Sequence, residues 1–153
     1  MFAFISSIVY GLGFEYALVI GGIILLISGF FDIVDGQVAR YANKISKKGG
    51  FLDSIFDKIA EVAIFFGILV GNYTEPYLVF LAITLSLLGS YTRALSDSAG
   101  IKMEGIGIGE RAERLLVIAI VGIIGFIDIA VIIVIIIASI TLAQRVSILV
   151  KNK

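Results

Sequence analysis

The chain has 153 residues, 59% hydrophobic and 16% charged, with twelve basic and twelve acidic side chains and a net charge of zero. Soluble domains usually carry about 45 to 50% apolar residues, so the polar surface is too small for a single soluble domain, and the balanced charge offers no global field to recruit nucleic acid. Cysteine and histidine are both absent, which excludes disulfides, a thiolate nucleophile, a histidine triad and histidine-ligated zinc, and leaves oxygen ligands of the kind that suit magnesium, manganese or calcium.

Crossing about 30 Å of hydrocarbon takes about 20 apolar residues. Residues 1–13 are apolar but reach only about 20 Å as a helix, which predicts a partial first span; they lack the basic start and small-residue cleavage pattern of a signal peptide. The next stretch, 16–34, is interrupted only by Asp32, and 51–70 carries Asp53, Asp57, Lys58 and Glu61 in its first turns. A span over 77–95 follows Pro76, a residue suited to the first helical position. Residues 115–143 are apolar apart from Asp128. The run Gly125, Phe126, Ile127, Asp128 reads as a turn that divides them into helices over about 110–127 and 129–144.

The basic residues test that division. Arg40, Lys44, Lys47, Lys48 and Lys58 form one group, Arg93, Lys102, Arg111 and Arg114 a second, and Arg145, Lys151 and Lys153 a third. A hairpin at Asp128 puts all three groups on one side of the membrane, as the positive-inside rule requires, whereas one long helix would split them. The expectation is one all-α integral membrane domain over 1–153, a bundle of about six transmembrane helices with the first truncated. It would lie in the cytoplasmic membrane with its basic loops facing the cytoplasm.

Six acids lie in or near the ends of these spans: Asp32, Asp35, Asp53, Asp57, Glu61 and Asp97. Carboxylates at membrane depth are costly, and function is their default explanation. Asp32 and Asp35 are three apart at the end of one helix, and Asp53 and Asp57 four apart at the start of the next, so each pair projects from one helical face. The short basic connection then brings four carboxylates together, where divalent cations best relieve their repulsion. Two other readings use the same residues: structural ion pairs with Arg40 and Lys58, or a cation path through a transporter. Against the path, the acids gather at one membrane face and not near the midplane.

From Asp32 the spacing reads D-x2-D-G-x2-A-R-x8-G-x3-D-x3-D, filled by Asp32, Asp35, Gly36, Ala39, Arg40, Gly49, Asp53 and Asp57. At residue frequencies of roughly 5 to 8%, eight fixed positions match by chance with a probability on the order of 10⁻¹⁰. This pattern resembles, at each position, the signature of the CDP-alcohol phosphatidyltransferases. That family moves a phosphatidyl-type group from a CDP-linked lipid to an acceptor alcohol, releases CMP and uses two divalent metals.

The resemblance implies that Asp32, Asp35 and Asp53 hold two cations, Mg2+ or Mn2+, with Asp57 a ligand and also the catalytic base. It also implies that Gly36 and Ala39, with Gly49, let the CDP-lipid approach the helix backbone, and that Arg40 and Ser46 contact its diphosphate. Members of the family usually open with an interfacial amphipathic helix and an Asn-Pro element, and neither precedes residues 1–4; the resemblance therefore implies that part of the nucleotide and lipid pocket is missing.

Arg93, Arg111 and Arg114 frame the same end of the bundle, and guanidinium forks suit a phosphate monoester, so a phosphorylated polyol acceptor is expected. The runs Tyr91-Thr92-Arg93-Ala94, Gly50-Phe51-Leu52-Asp53-Ser54 and Glu110-Arg111-Ala112-Glu113-Arg114 look like the inositol-phosphate branch of the family, the archaetidylinositol and phosphatidylinositol phosphate synthases, with glycerol phosphate the nearest rival acceptor. The alternative for these arginines is topogenic charge and headgroup anchoring. The family resemblance also suggests a homodimer, and Gly67 and Gly71 form a small-xxx-small pair that permits close helix contact.

Overall fold

The computed structural model of the chain describes residues 2–41, 47–101 and 107–151, without the side chains of 35, 36, 38–41, 47, 48 and 151. Their elements are α1 (Phe2–Leu12), α2 (Ala17–Tyr41), α3 (Lys47–Val70), α4 (Pro76–Ser98), α5 (Arg111–Ile123) and α6 (Ile127–Lys151), and no strand occurs among the described residues. Stretches long and apolar enough to cross a membrane occupy Ala17–Val34, Pro76–Ser98 and Ile127–Val150. Large apolar side chains point outward along the bundle, Phe80 at 71% exposure and Phe66 at 59% among them. The chain is an all-helical membrane bundle whose outer surface suits lipid.

The expected elements occur in the expected order; most have longer ends, but the helix expected over about 110–127 stops at Ile123, and Ile127 already opens α6. The helix expected over 16–34 continues to Tyr41, the one expected from 51 begins at Lys47, and the last one runs to Lys151 instead of 144. Hydropathy marks only the turns that lie in hydrocarbon, while backbone hydrogen bonding carries a helix onward into water. The hairpin is present, and its turn lies just ahead of Asp128. Gly125 adopts φ +95°, a left-handed geometry that a side chain would strain, while its N–H and that of Phe126 close back onto Gly122 and Val121.

The main interfaces join α1 to α2 and α3, α2 to α5, α5 to α6, α6 to α4 and α4 to α3. The helices thus close a ring in the order α1, α2, α5, α6, α4, α3. Among the described residues α2 and α3 share no main interface, and α1 packs against both. Hydroxyls staple α1 in place: Ser6 Oγ donates to the Gly21 carbonyl at 2.7 Å, and Ser7 Oγ donates to the Ala63 carbonyl.

Gly67 and Gly71 are used inside the chain. A Cβ at Gly67 would strike the Ser7 backbone, and one at Gly71 would strike the Tyr10 carbonyl and the Tyr73 ring. The small-residue ridge expected to favour a second copy is covered by α1. Ile64, Phe65 and Ile68 of α3 meet Val131 and Val134 of α6 and Ile118 of α5 in the buried core.

Candidate active site

Three acids lie at four-residue spacing along one stripe of α3, and their burial deepens along it: Asp53 is exposed, Asp57 keeps 32% of its side chain exposed and Glu61 only 1%. Facing them, α5 presents Arg111 and Arg114 three residues apart. Arg111 Nη1 forms an ion pair with Asp57 Oδ1 and lies 3.7 Å from Asp32 Oδ2 of α2. One turn deeper, Arg114 Nε and Nη2 both donate to Glu61 Oε1, at 2.9 and 2.7 Å. Two rungs of opposite charge therefore connect α3 and α5, which share none of the main interfaces.

The start of α5 is set by a capping box. Glu110 accepts from the backbone of Glu113, while Glu113 Oε2 accepts from the Glu110 N–H at 2.9 Å. This arrangement satisfies donors that a helix start leaves open. Glu110 also accepts from Arg93 Nη1 of α4 at 2.8 Å. Just upstream, Gly109 lies so close to α6 that a Cβ there would strike Ile137.

These contacts enclose a polar cavity of about 460 Å³ whose walls include Asp57, Lys58, Arg93, Arg111, Arg114 and Arg145. Arg111 and Ala112 also line an apolar cleft of about 150 Å³, walled by Ala3, Leu25, Leu26, Leu115 and Leu116, with Asp32 in its lining. One arginine thus lines both a charged chamber and an oily one. Among the described residues the buried Arg111 Nε has no hydrogen-bond partner, so within them this side chain keeps one donor unspent.

The structure brings together Asp32, Asp57 and Arg111, and it places Arg93 on the same cavity wall. Asp53 stands exposed one turn before Asp57, within electrostatic reach of it. Gly49 lies in the first turn of α3. Asp35, Gly36, Ala39 and Arg40 belong to the last turns of α2, with their side chains outside the description, and Ser46 lies outside the described residues altogether.

Arg114 is placed differently from expectation. It lines the cavity, but its side chain is only 3% exposed, and its donors go to Glu61 and, at 2.5 Å, to the Gly109 carbonyl. A buried guanidinium needs such partners to offset its desolvation, so this arginine is committed within the protein.

Arg145, expected only as a topogenic charge, is buried at 3% exposure on the cavity wall and donates from Nη1 to the Gly89 carbonyl at 2.6 Å. The sequence carried no clear signal for it, because hydropathy stops near 144 and only the structure carries α6 past Arg145 to Lys151. Lys58, next to Asp57, also lines the chamber.

The donor set suits a hard divalent cation. Carboxylates from α2 and α3 reach one and the same guanidinium nitrogen, and every candidate ligand is oxygen. Among the described residues no three acids converge into a ready metal cage, the Asp35 side chain being outside them.

Residues 1–147 match the family model described as CDP-alcohol phosphatidyltransferase. The archaetidylinositol phosphate synthase of Pyrococcus horikoshii is 40% identical over 128 residues, covering 84% of this chain and 68% of the relative. The synthase of the same name from Methanothermobacter thermautotrophicus is 41% identical over 102 residues, covering 67% and 52%, so this chain spans about half of that protein's length. The crystal structure of the Mycobacterium tuberculosis phosphatidylinositol phosphate synthase with CDP-DAG bound superposes with a TM-score of 0.81 at 22% identity, over 95% of this chain and 79% of that one. The same enzyme in complex with manganese and citrate gives 0.79 at 21% identity, over 95% and 75%. At that identity the likeness shows the fold.

Proposed function

This chain belongs to the CDP-alcohol phosphatidyltransferase family, and from that premise we propose that it transfers a phosphatidyl or archaetidyl group from a CDP-linked lipid to a phosphorylated polyol, inositol phosphate, releasing CMP. The observation that carries this reading is the shared wall. Arg111 and Ala112 line both the charged cavity and the apolar cleft, so a substrate with greasy tails and a diphosphate has a place for each beside Asp32 and Asp57.

Attack by the acceptor hydroxyl forms a new oxygen–phosphorus bond at the lipid-side phosphorus and breaks the diphosphate bridge, and CMP departs with the bridging oxygen. Asp57, half-buried at the cavity wall, takes the hydroxyl proton, since a carboxylate within hydrogen-bond reach serves as a general base. Arg111, with its unspent Nε, meets the diphosphate, while Arg93, Arg145 and Lys58 supply the positive field for the acceptor's phosphate. Asp32, Asp35, Asp53 and Asp57 would hold two cations, Mg2+ or Mn2+, which when bound supply charge neutralisation to the phosphoryl oxygens. No covalent intermediate is needed, so the displacement is direct and in line. The site lies at the basic end of the bundle, which the positive-inside rule assigns to the cytoplasm.

Purified protein with manganese, CDP-lipid and labelled inositol phosphate is expected to release CMP and label the lipid. Glycerol phosphate giving the faster turnover in the same assay would transfer the reading to the rival acceptor. Manganese flux into vesicles without any CMP release would instead favour transport.

A further inference from the structure

The acidic stripe of α3 extends one turn past the motif. Glu61 and Arg114 are 1% and 2% exposed and bonded through two guanidinium nitrogens. An apolar pair of similar volume often serves stability as well as a buried ion pair or better, so stability alone does not account for these two charges. What this pair does is geometric. Arg114 Nη1 donates to the Gly109 carbonyl, and the next residue, Glu110, is both the N-cap of α5 and the partner of Arg93. The line of contacts starting at Glu61 therefore runs through Arg114 and the 109–110 backbone to Arg93, and along the first turn of α5 to Arg111. The upper rung, Asp57 with Arg111, belongs to the proposed chemistry, while the lower rung sets its span.

We propose that Glu61 is a positioning residue: through Arg114 and the Gly109 carbonyl, its buried carboxylate fixes the start of α5 and with it the placement of Arg93 and Arg111 against Asp57. The kinetic part of this proposal rests on the transferase reading above; the geometric part does not. The two oxygens of Glu61 are used unequally. Oε1 takes both bonds from Arg114, while Oε2 is buried with no partner among the described residues, a cost in unsatisfied polarity.

Two measurements test this. In Glu61→Gln, an isosteric change that leaves Arg114 without its counter-charge, the apparent KM is expected to rise about tenfold both for the phosphorylated acceptor, which meets Arg93, and for CDP-lipid, whose diphosphate meets Arg111. Glu61→Asp, which keeps the charge, is expected to recover part of the loss. Unchanged KM values, or a fall in kcat with both KM values unchanged, would overturn the proposal.

The second measurement needs no turnover. The chain has no cysteine, so Ala112→Cys, on the first turn of α5, and Thr74→Cys, in the loop at the opposite end, are single-site thiol reporters. Adding Glu61→Gln is expected to change maleimide labelling at position 112 several-fold and to leave position 74 unchanged. Equal rates at 112, or parallel changes at both, would overturn the positioning role. A wild-type protein that releases no CMP while this labelling contrast holds would count against the transferase reading alone.

Discussion

The two ends of the bundle are held by different forces. At the end where α1 meets Gly71 and Tyr73, helices approach to backbone contact: Gly21 lies under the Tyr10 ring, Gly67 under the Ser7 backbone, and the polar links are single hydroxyls. At the other end α3 and α5 stand apart and are bridged by long charged side chains, Arg111 to Asp57 and Arg114 to Glu61. Ion pairs across a gap leave a cavity of about 460 Å³ lined with basic side chains, whereas the cavity of about 420 Å³ at the packed end, beside Tyr73 and Asp128, is lined by none.

This contrast predicts which changes remove activity and which remove stability. The largest effect is expected from chelation. Stripping divalent cations with EDTA should abolish CMP release while the helical content stays unchanged, and manganese or magnesium should restore it; full turnover in EDTA would remove the cations from the reaction. Next is Asp57→Asn, which is expected to slow CMP release by about 10²-fold or more. Asp32 remains within reach of Arg111 in that variant, so its thermal unfolding should stay near wild type.

Arg93→Ala comes third. Its guanidinium is 35% exposed and joined to Glu110, so its loss is expected to raise the KM for the phosphorylated acceptor by about tenfold and to leave that for CDP-lipid little changed. Equal effects on both would separate Arg93 from the acceptor.

The packed end should respond in the opposite sense. Gly67→Leu drives a side chain into the Ser7 backbone and is expected to destabilise the fold by about 1 to 3 kcal/mol, with activity falling only as far as the folded fraction falls. The smallest effect belongs to Ser6→Ala, which removes one buried bond to the Gly21 carbonyl and should cost about 0.5 to 1.5 kcal/mol in a thermal or denaturant titration. A Gly67 variant that keeps its stability but loses turnover would break the division between the two ends.

Much of the fold was legible because its signals are local. The turn at Gly125 showed itself as a break in an apolar run, and the distribution of lysine and arginine decided between one helix and two. Helix ends were less legible, as α6 shows: hydropathy stops near 144, but the hydrogen-bonded helix carries Arg145 inward to Gly89, 56 residues away in sequence. In the site, motif spacing brought out Asp32 and Asp57. It said nothing of which arginine each would face, and it placed Arg114 toward a ligand when the fold commits it to Glu61.

Sequence alone determined the helical membrane character of this protein, the hairpin and the order of its helices, because apolar runs and turn residues act between neighbours. Only the tertiary structure decided the pairing of Arg111 with Asp57, of Arg114 with Glu61 across 53 residues, and the inward use of Gly67. A buried charge must find an opposite charge in space, and a glycine ridge must be covered by whatever helix lies against it. Those partners lie on other helices, out of reach of any local pattern.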